Sequence, residues 1–221
     1  ASGIADKTKL IVVHNYNHKE SIKVGKKLAR QGAEVIPFKG DNRGSCASWN
    51  IGLWRMHTTP AQFVVILSPG TQFPGGVDQF INAILDAERN DPKLFYGIKG
   101  DGFHSVCITK KLHELIGFFD ENLYPCYRDD ADWQRRQGLL PEFTETHFEI
   151  ENEQTLGTGC RNNRIFSHYW YNVTAQSDYY VQKWGGAIGL ETYILPFGDK
   201  PLSYWLPNQT TKIPLSEITK D

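Results

Sequence analysis

The sequence predicts an α/β fold with a mainly parallel central sheet flanked by helices. Two observations predict it. Short continuous apolar runs of strand length recur, such as Leu10-Ile11-Val12-Val13 and Phe63-Val64-Val65-Ile66-Leu67, and a strand covered on both faces reads as such a run. Between them lie segments whose apolar residues return at helical spacing, clearest in Val77, Phe80, Ile81, Ile84 and Leu85. Strands alternating with helices build a sheet whose ligands sit beyond the carboxyl ends of the strands.

Taken in order, residues 9–15 form the first predicted strand. Asn17 with Glu20 resembles a capping box, and opens a helix that runs to about Gln31 and stops at Gly32. Val35, Ile36 and Phe38 mark a second strand. Residues 41–45 read as a loop around Gly44, and a helix follows with Ala47, Ile51 and Trp54 on one face. Pro60 ends that region. Residues 63–67 make the third strand, broken by Ser68-Pro69-Gly70, and Pro74-Gly75-Gly76 launches the clearest helix. Residues 94–98 and 105–109 are further strands. The acidic run at 129–132 opens another helix, and His147 falls in a strand after it. Residues 149–163, with Gly157 and Gly159, read as a mobile loop. Residues 166–184 are dense in aromatics and read as a helix. From Pro196 the pattern fades into a tail expected to wrap the surface. With no internal repeat and no linker, residues 1–221 read as one domain, its core about 9–190 and its tail about 196–221.

The 221 residues are 40% hydrophobic, enough for a real core and against disorder. A net charge of -1 argues against nucleic acid or an acidic membrane as the main partner. Aromatics at 13% suit stacking on flat or apolar ligand faces, although most aromatics in any protein simply fill the core. Cys46, Cys107, Cys126 and Cys160 show no paired spacing, so a zinc site or redox pair is not expected and a reducing, cytoplasmic setting is the plain reading. No signal peptide opens the chain and no apolar run is long enough for a bilayer. Asn172-Val173-Thr174 and Asn208-Gln209-Thr210 are read as chance glycosylation triplets. The size is also compatible with one domain of a longer protein.

The segment with most chemistry is Gly117-Phe118-Phe119-Asp120-Glu121, then Asp129-Asp130-Ala131-Asp132-Trp133 with Arg135 and Arg136. Acids this close raise one another's pKa, and a carboxylate so tuned can take a proton from a hydroxyl near neutral pH. The bland alternative is an acidic first turn of a surface helix, where Asp is favoured anyway. Asn15-Tyr16-Asn17 stands at a strand end, where a nucleotide base could rest or where an ordinary turn would use Asn. Arg43, in the Asn42-Arg43-Gly44 loop before a helix start, suits a diphosphate, since free N–H groups and a guanidinium both favour anions. Its alternative is a solvated loop arginine. Asn50-Ile51-Gly52 follows, and Lys183-Trp184-Gly185-Gly186 lies near the end.

In this order and spacing these motifs resemble the inverting glycosyltransferases of family two, which have the GT-A (nucleotide-diphospho-sugar transferase) fold. The resemblance covers roughly residues 9–190, and the segment from Gly117 to Asp132 is its most specific part. It implies transfer of a sugar from a nucleotide-sugar donor, a UDP-sugar first among them, to a hydroxyl of a glycan or glycoconjugate. Asp130 matches the catalytic base. Asp129 stands where the family usually has Glu, and would bind acceptor hydroxyls or tune Asp130. Asp132 is expected to fix the helix or pair with Arg135 or Arg136. Asn15, Tyr16, Asn17, Asn42, Arg43, Ser68, Gly70 and Lys183 are the implied donor-binding residues, although Trp184 beside Lys183 equally suits the core. His147 resembles the family's late histidine, which reaches a Mn²⁺ or Mg²⁺ ion or the diphosphate; a lone His is more often structural.

Two departures stand out. The family closes its third strand with two metal-holding aspartates, where this chain has Ser68-Pro69-Gly70. A hard divalent ion usually wants at least one carboxylate. The diphosphate would otherwise be met by Arg43, Lys99, Lys183 or the helix start near Gly75. One strand-helix unit before the Asn42 loop is also missing or compressed, so base specificity is not carried over. A second hypothesis is therefore a non-catalytic module that binds a nucleotide sugar or glycan. A nucleotidyltransferase is disfavoured, because Val13-His14-Asn15-Tyr16 supplies neither metal-holding carboxylates nor a glycine-rich phosphate loop.

Overall fold

A computed structural model describes residues 8–14, 19–37, 43–67, 71–90, 94–99, 105–124, 126–140, 144–149, 151–152 and 164–198. Its strands are β1 (Ile11–His14), β2 (Glu34–Pro37), β3 (Phe63–Leu67), β4 (Thr71–Gln72), β5 (Leu94–Lys99), β6 (Ser105–Thr109), β7 (Thr144–Glu149) and β8 (Glu151–Asn152). Its helices are α1 (Lys19–Arg30), α2 (Gly44–His57), α3 (Val77–Asn90), α4 (Lys110–Ile116), α5 (Asp129–Gly138) and α6 (Arg164–Trp184). The predicted strand–helix order is present. Unanticipated are α4, which Thr109 caps by accepting the Leu112 N–H at 3.2 Å, and the short β4. Part of the expected 149–163 loop is ordered instead: Glu149 ends β7, and Glu151 and Asn152 pair with β4. The tail expected from Pro196 begins with an anchored turn, since the Phe197 N–H donates to the Lys183 carbonyl at 2.6 Å. Residues 199–221 lie outside the described residues, as does the capping Asn17.

The sheets correct the expectation of mainly parallel pairing. β1 and β2 pair in parallel, with α1 packed against both. The four-stranded sheet runs β3-β6-β5-β7, with β6 antiparallel to both β3 and β5, and β7 parallel to β5. The reason lies in the connection lengths: residues 100–104 are too short for a crossover helix, so β6 must return antiparallel beside β5. β4 and β8 form a small antiparallel pair.

Both faces of β3 and β6 are covered. Val64 and Ile66 of β3, with Val106 and Ile108 of β6, face a core of Leu53, Met56, Leu112, Ile116, Phe119 and Trp133. Phe63 and Val65, with Cys107, face Phe80, Ile81 and Ile84 of α3. Two-sided burial is why these strands read as unbroken apolar runs. α2 is shared between sheets. Its Ala47 and Ile51 pack with Ile11, Val13 and Ile36 of the β1–β2 pair, while Cys46, Leu53 and Met56 point into the first core. No helix among the described residues is long and apolar enough to cross a membrane.

The Asn50-Ile51-Gly52 motif is a packing device. The Asn50 amide is fully buried and clamps the Gly117–Glu121 segment. Its Oδ1 accepts the Phe119 N–H at 2.8 Å, and its Nδ2 donates to the Phe119 carbonyl at 3.0 Å and to Glu121 Oε1 at 2.9 Å. Gly52 lets α2 approach β3, since a Cβ there would meet Val64 Cγ2 at 3.2 Å. Asn50→Ala removes the side-chain partner of both backbone groups of buried Phe119. We expect it to cost about 2–3 kcal/mol of stability, read as a lowered urea midpoint with an unchanged slope.

Candidate active site

Two helix starts meet at the acidic block. α5 begins at Asp129 after Tyr127 and Arg128, which hold positive φ of 78° and 65°. Left-handed backbone is costly for residues with bulky side chains and persists only where surroundings enforce it. Two bonds from α6 do so: Gln176 donates to the Tyr124 carbonyl, and Arg128 Nε donates to Ser177 Oγ at 3.2 Å. This turn swings Asp129 inward. The alternative of a surface helix does not hold, because Asp129, Ala131, Asp132, Trp133, Arg136 and Gln137 are all buried.

The three acids of the run have different surroundings. Asp129 is 6% exposed and accepts a hydrogen bond at Oδ2 from Ser45 Oγ, on the first turn of α2. Burial pushes its carboxyl up, the Ser45 bond opposes that, neighbouring Asp130 adds to the rise, and the result is about 6. Asp130 is half-buried. Its Oδ1 accepts the Ala131 N–H at 2.7 Å, and no described residue bonds its Oδ2. Asp132 is sealed in. It binds Arg136 at 2.9 Å, the i,i+4 pairing expected for it, together with Lys183 at 2.7 Å and the Trp184 indole at 2.8 Å. Burial alone would raise Asp132, but Lys183 and Arg136 outweigh it and hold the carboxyl low. Asp130 is thus the member of the run with an oxygen not committed within the described residues.

Lys183 is buried between two carboxylates. Its ammonium is 1% exposed and bridges Asp120 Oδ2 at 2.8 Å and Asp132 Oδ1 at 2.7 Å. Asp120 also accepts from the Tyr179 hydroxyl at 2.7 Å and from Asn122. Burial and the Asp120 carboxylate push the Tyr179 phenol far above its ordinary range. Trp184 is fully buried, and Arg136 further donates to the Ile116 and Phe118 carbonyls. The Lys183-Trp184 motif is thereby a pin between α5, α6 and the Gly117–Glu121 segment.

Arg43 caps the start of α2, half-buried, and Gly44 behind it has φ 88°. That left-handed turn carries the chain into the helix with Ser45 facing Asp129. His147 lies in β7 with its backbone in register with Gly97 of β5. Asn15, Tyr16, Asn17, Asn42, Ser68 and Gly70 lie outside the described residues, as does the His147 side chain. Among the described residues no group of three His, Cys, Asp or Glu side chains could hold a metal ion. The residue that sequence reasoning missed is Ser45. No spacing signal marks a serine bonded across 84 positions.

Behind the site, His57 Nε2 of α2 and His113 Nδ1 of α4 lie 2.5 Å apart. Burial, then His57 and Arg136, lower His113 from its ordinary 6.5 to about 4. The unfolded chain therefore binds this proton first, and the fold loses stability as pH falls from 6.5 toward 4. Asp129 works the other way: its raised carboxyl favours the fold at low pH, and that contribution is lost as pH rises through about 6. His113→Gln should flatten the acid loss by on the order of 2 kcal/mol at pH 5, read from urea midpoints of variant and parent across pH 4.5–7.5.

No family model matches the chain. Over 85 aligned residues it is 33% identical to a galactofuranosyl glycosyltransferase of Leishmania donovani. The aligned stretch covers 35% of this chain and 19% of that protein, so the likeness reaches only a small part of the relative. Over that stretch the chain is similar to a glycosyltransferase.

Proposed function

We propose that this chain is a glycosyltransferase domain of GT-A type, moving a sugar from a nucleotide-sugar donor to a hydroxyl of a glycan or glycoconjugate with inversion. The observation that carries this reading is the meeting of the two helix starts. The Arg43-Gly44-Ser45 turn places a guanidinium at the N-terminus of α2, where helix dipole and positive charge both suit a diphosphate. Against it sits the acid pair of α5, joined through Ser45 and Asp129. Asp130 takes the proton of the acceptor hydroxyl as that oxygen attacks the anomeric carbon. The bond from that carbon to the diphosphate breaks on the opposite face, its electron pair leaving with the nucleotide. Asn15, Tyr16, Asn17 and Asn42 hold the base side of the donor in this proposal, with Ser68 and Gly70 at the third strand's end. His147 is the proposed ligand of a Mn²⁺ or Mg²⁺ ion, which would neutralise charge on the leaving diphosphate. Lys183 drops out, because its charge is committed to two carboxylates.

The galactofuranosyl relative makes a nucleotide-linked galactofuranose the first donor to test. The protein is incubated with a panel of nucleotide sugars, UDP-linked ones first, with Mn²⁺ or with EDTA, and free nucleotide is measured. Release with one donor, and a product of inverted anomeric configuration by NMR, are expected. Binding without turnover across donors and acceptors would replace the enzyme with a non-catalytic recognition module.

A further inference from the structure

We propose that Ser45 is a positioning residue of the acidic site: its hydroxyl orients Asp129 and ties the acid pair to the Arg43–Gly44 turn that opens α2. The proposal rests on the reading of Asp129 and Asp130 as the reacting acids.

The geometry is specific. Ser45 lies on the first turn of α2, where the backbone is already bent by Gly44 at φ 88°. Its Oγ donates to Asp129 Oδ2, a side-chain link between the starts of α2 and α5. Asp129 is buried, so this bond is shielded from competing water. Ser48, one turn further along α2, turns its hydroxyl back to the Gly44 carbonyl at 2.8 Å instead. Among the described residues the groups facing Asp129 are few. From α2 they are Ser45 and the buried Cys46 thiol, which burial and then Asp129 push well above its ordinary range. From α5 they are Asp130 and the backbone N–H groups of the first turn. Asp120, Glu121 and Asp132 surround the same thiol with further negative charge. In such a setting Ser45 is the side-chain donor that favours the ionised form of Asp129.

Its consequence passes to Asp130. The charge of Asp129 sets the field in which Asp130 meets the acceptor proton, so the two acids act as a coupled pair. A diphosphate arriving at the α2 start would compete for the Ser45 hydroxyl, so donor binding and the charge of the acid pair are coupled.

The test uses the full chain with Ser45→Ala, Ser45→Thr, Asp129→Asn and the double variant Ser45→Ala/Asp129→Asn. Asp carboxyl carbons are titrated by NMR, and the acid limb of kcat is followed with the working donor. Ser45→Ala should move the Asp129 titration and the acid limb up by about one pH unit, while Ser45→Thr keeps both near the parent. In the Asp129→Asn background, adding Ser45→Ala should leave the acid limb where it was. A lowered kcat with an unmoved limb and an unmoved Asp129 titration would overturn the proposal. The NMR arm needs no turnover. Failure of the glycosyltransferase reading, seen as an inert parent, is thus distinct from failure of the Ser45 link.

Discussion

Asp130→Asn is expected to lower sugar transfer about 10²–10⁴-fold, the usual contribution of a positioned general base. The substitution is nearly isosteric, and an Asn oxygen can still accept the Ala131 N–H that Asp130 Oδ1 accepts at 2.7 Å. Because Asp130 is half-buried and outside the Lys183 network, stability should stay within about 0.5 kcal/mol of the parent. Donor affinity should be little changed, since the lost group acts on the acceptor proton. The decisive comparison is kcat against the donor Kd by calorimetry. A variant that keeps full kcat would move the base elsewhere and remove the central residue of the proposed mechanism.

The second large effect concerns Lys183. Lys183→Met removes a cation shared by Asp120 and Asp132, both at most 1% exposed. Arg136 still neutralises Asp132 in part, whereas among the described residues Asp120 keeps the Tyr179 hydroxyl and Asn122. Breaking a buried ion pair from one side costs about 3–5 kcal/mol. That is a large share of the marginal stability of a domain. Chemical denaturation reads it directly. If Lys183 instead gripped the diphosphate, the variant would fold as well as the parent and show only a raised KM. The triple change that also replaces Asp120 and Asp132 with their amides should recover part of the loss, because the penalty lies in the uncompensated charges rather than in the missing amine.

Legibility in the sequence followed the range of the interaction. β3 and β6 were readable at their boundaries, since continuous apolar runs report burial on both faces and need no partner's identity. α3 was readable from its stripe, and the Asp132–Arg136 pair from its i,i+4 spacing. The same rules left a surface helix open as the alternative for α5, because its Asp-rich first turn looks solvated until Ser45, Lys183 and the Trp184 indole are brought to it. Pairing direction was misjudged for a similar reason: strand pattern is identical in parallel and antiparallel ladders, and only the route of the chain selects between them.

Alone, the order of amino acids determined the α/β character, the alternation of strands and helices, and a carboxylate cluster suited to accepting a proton. Folding gave those carboxylates three different surroundings. It sealed Asp132 beneath two cations, bonded Asp129 to a serine 84 positions earlier, and left Asp130 half-buried. Periodicity is a local property written along the backbone, whereas the charge state of an acid depends on solvent and on partners that meet it only once the core has closed.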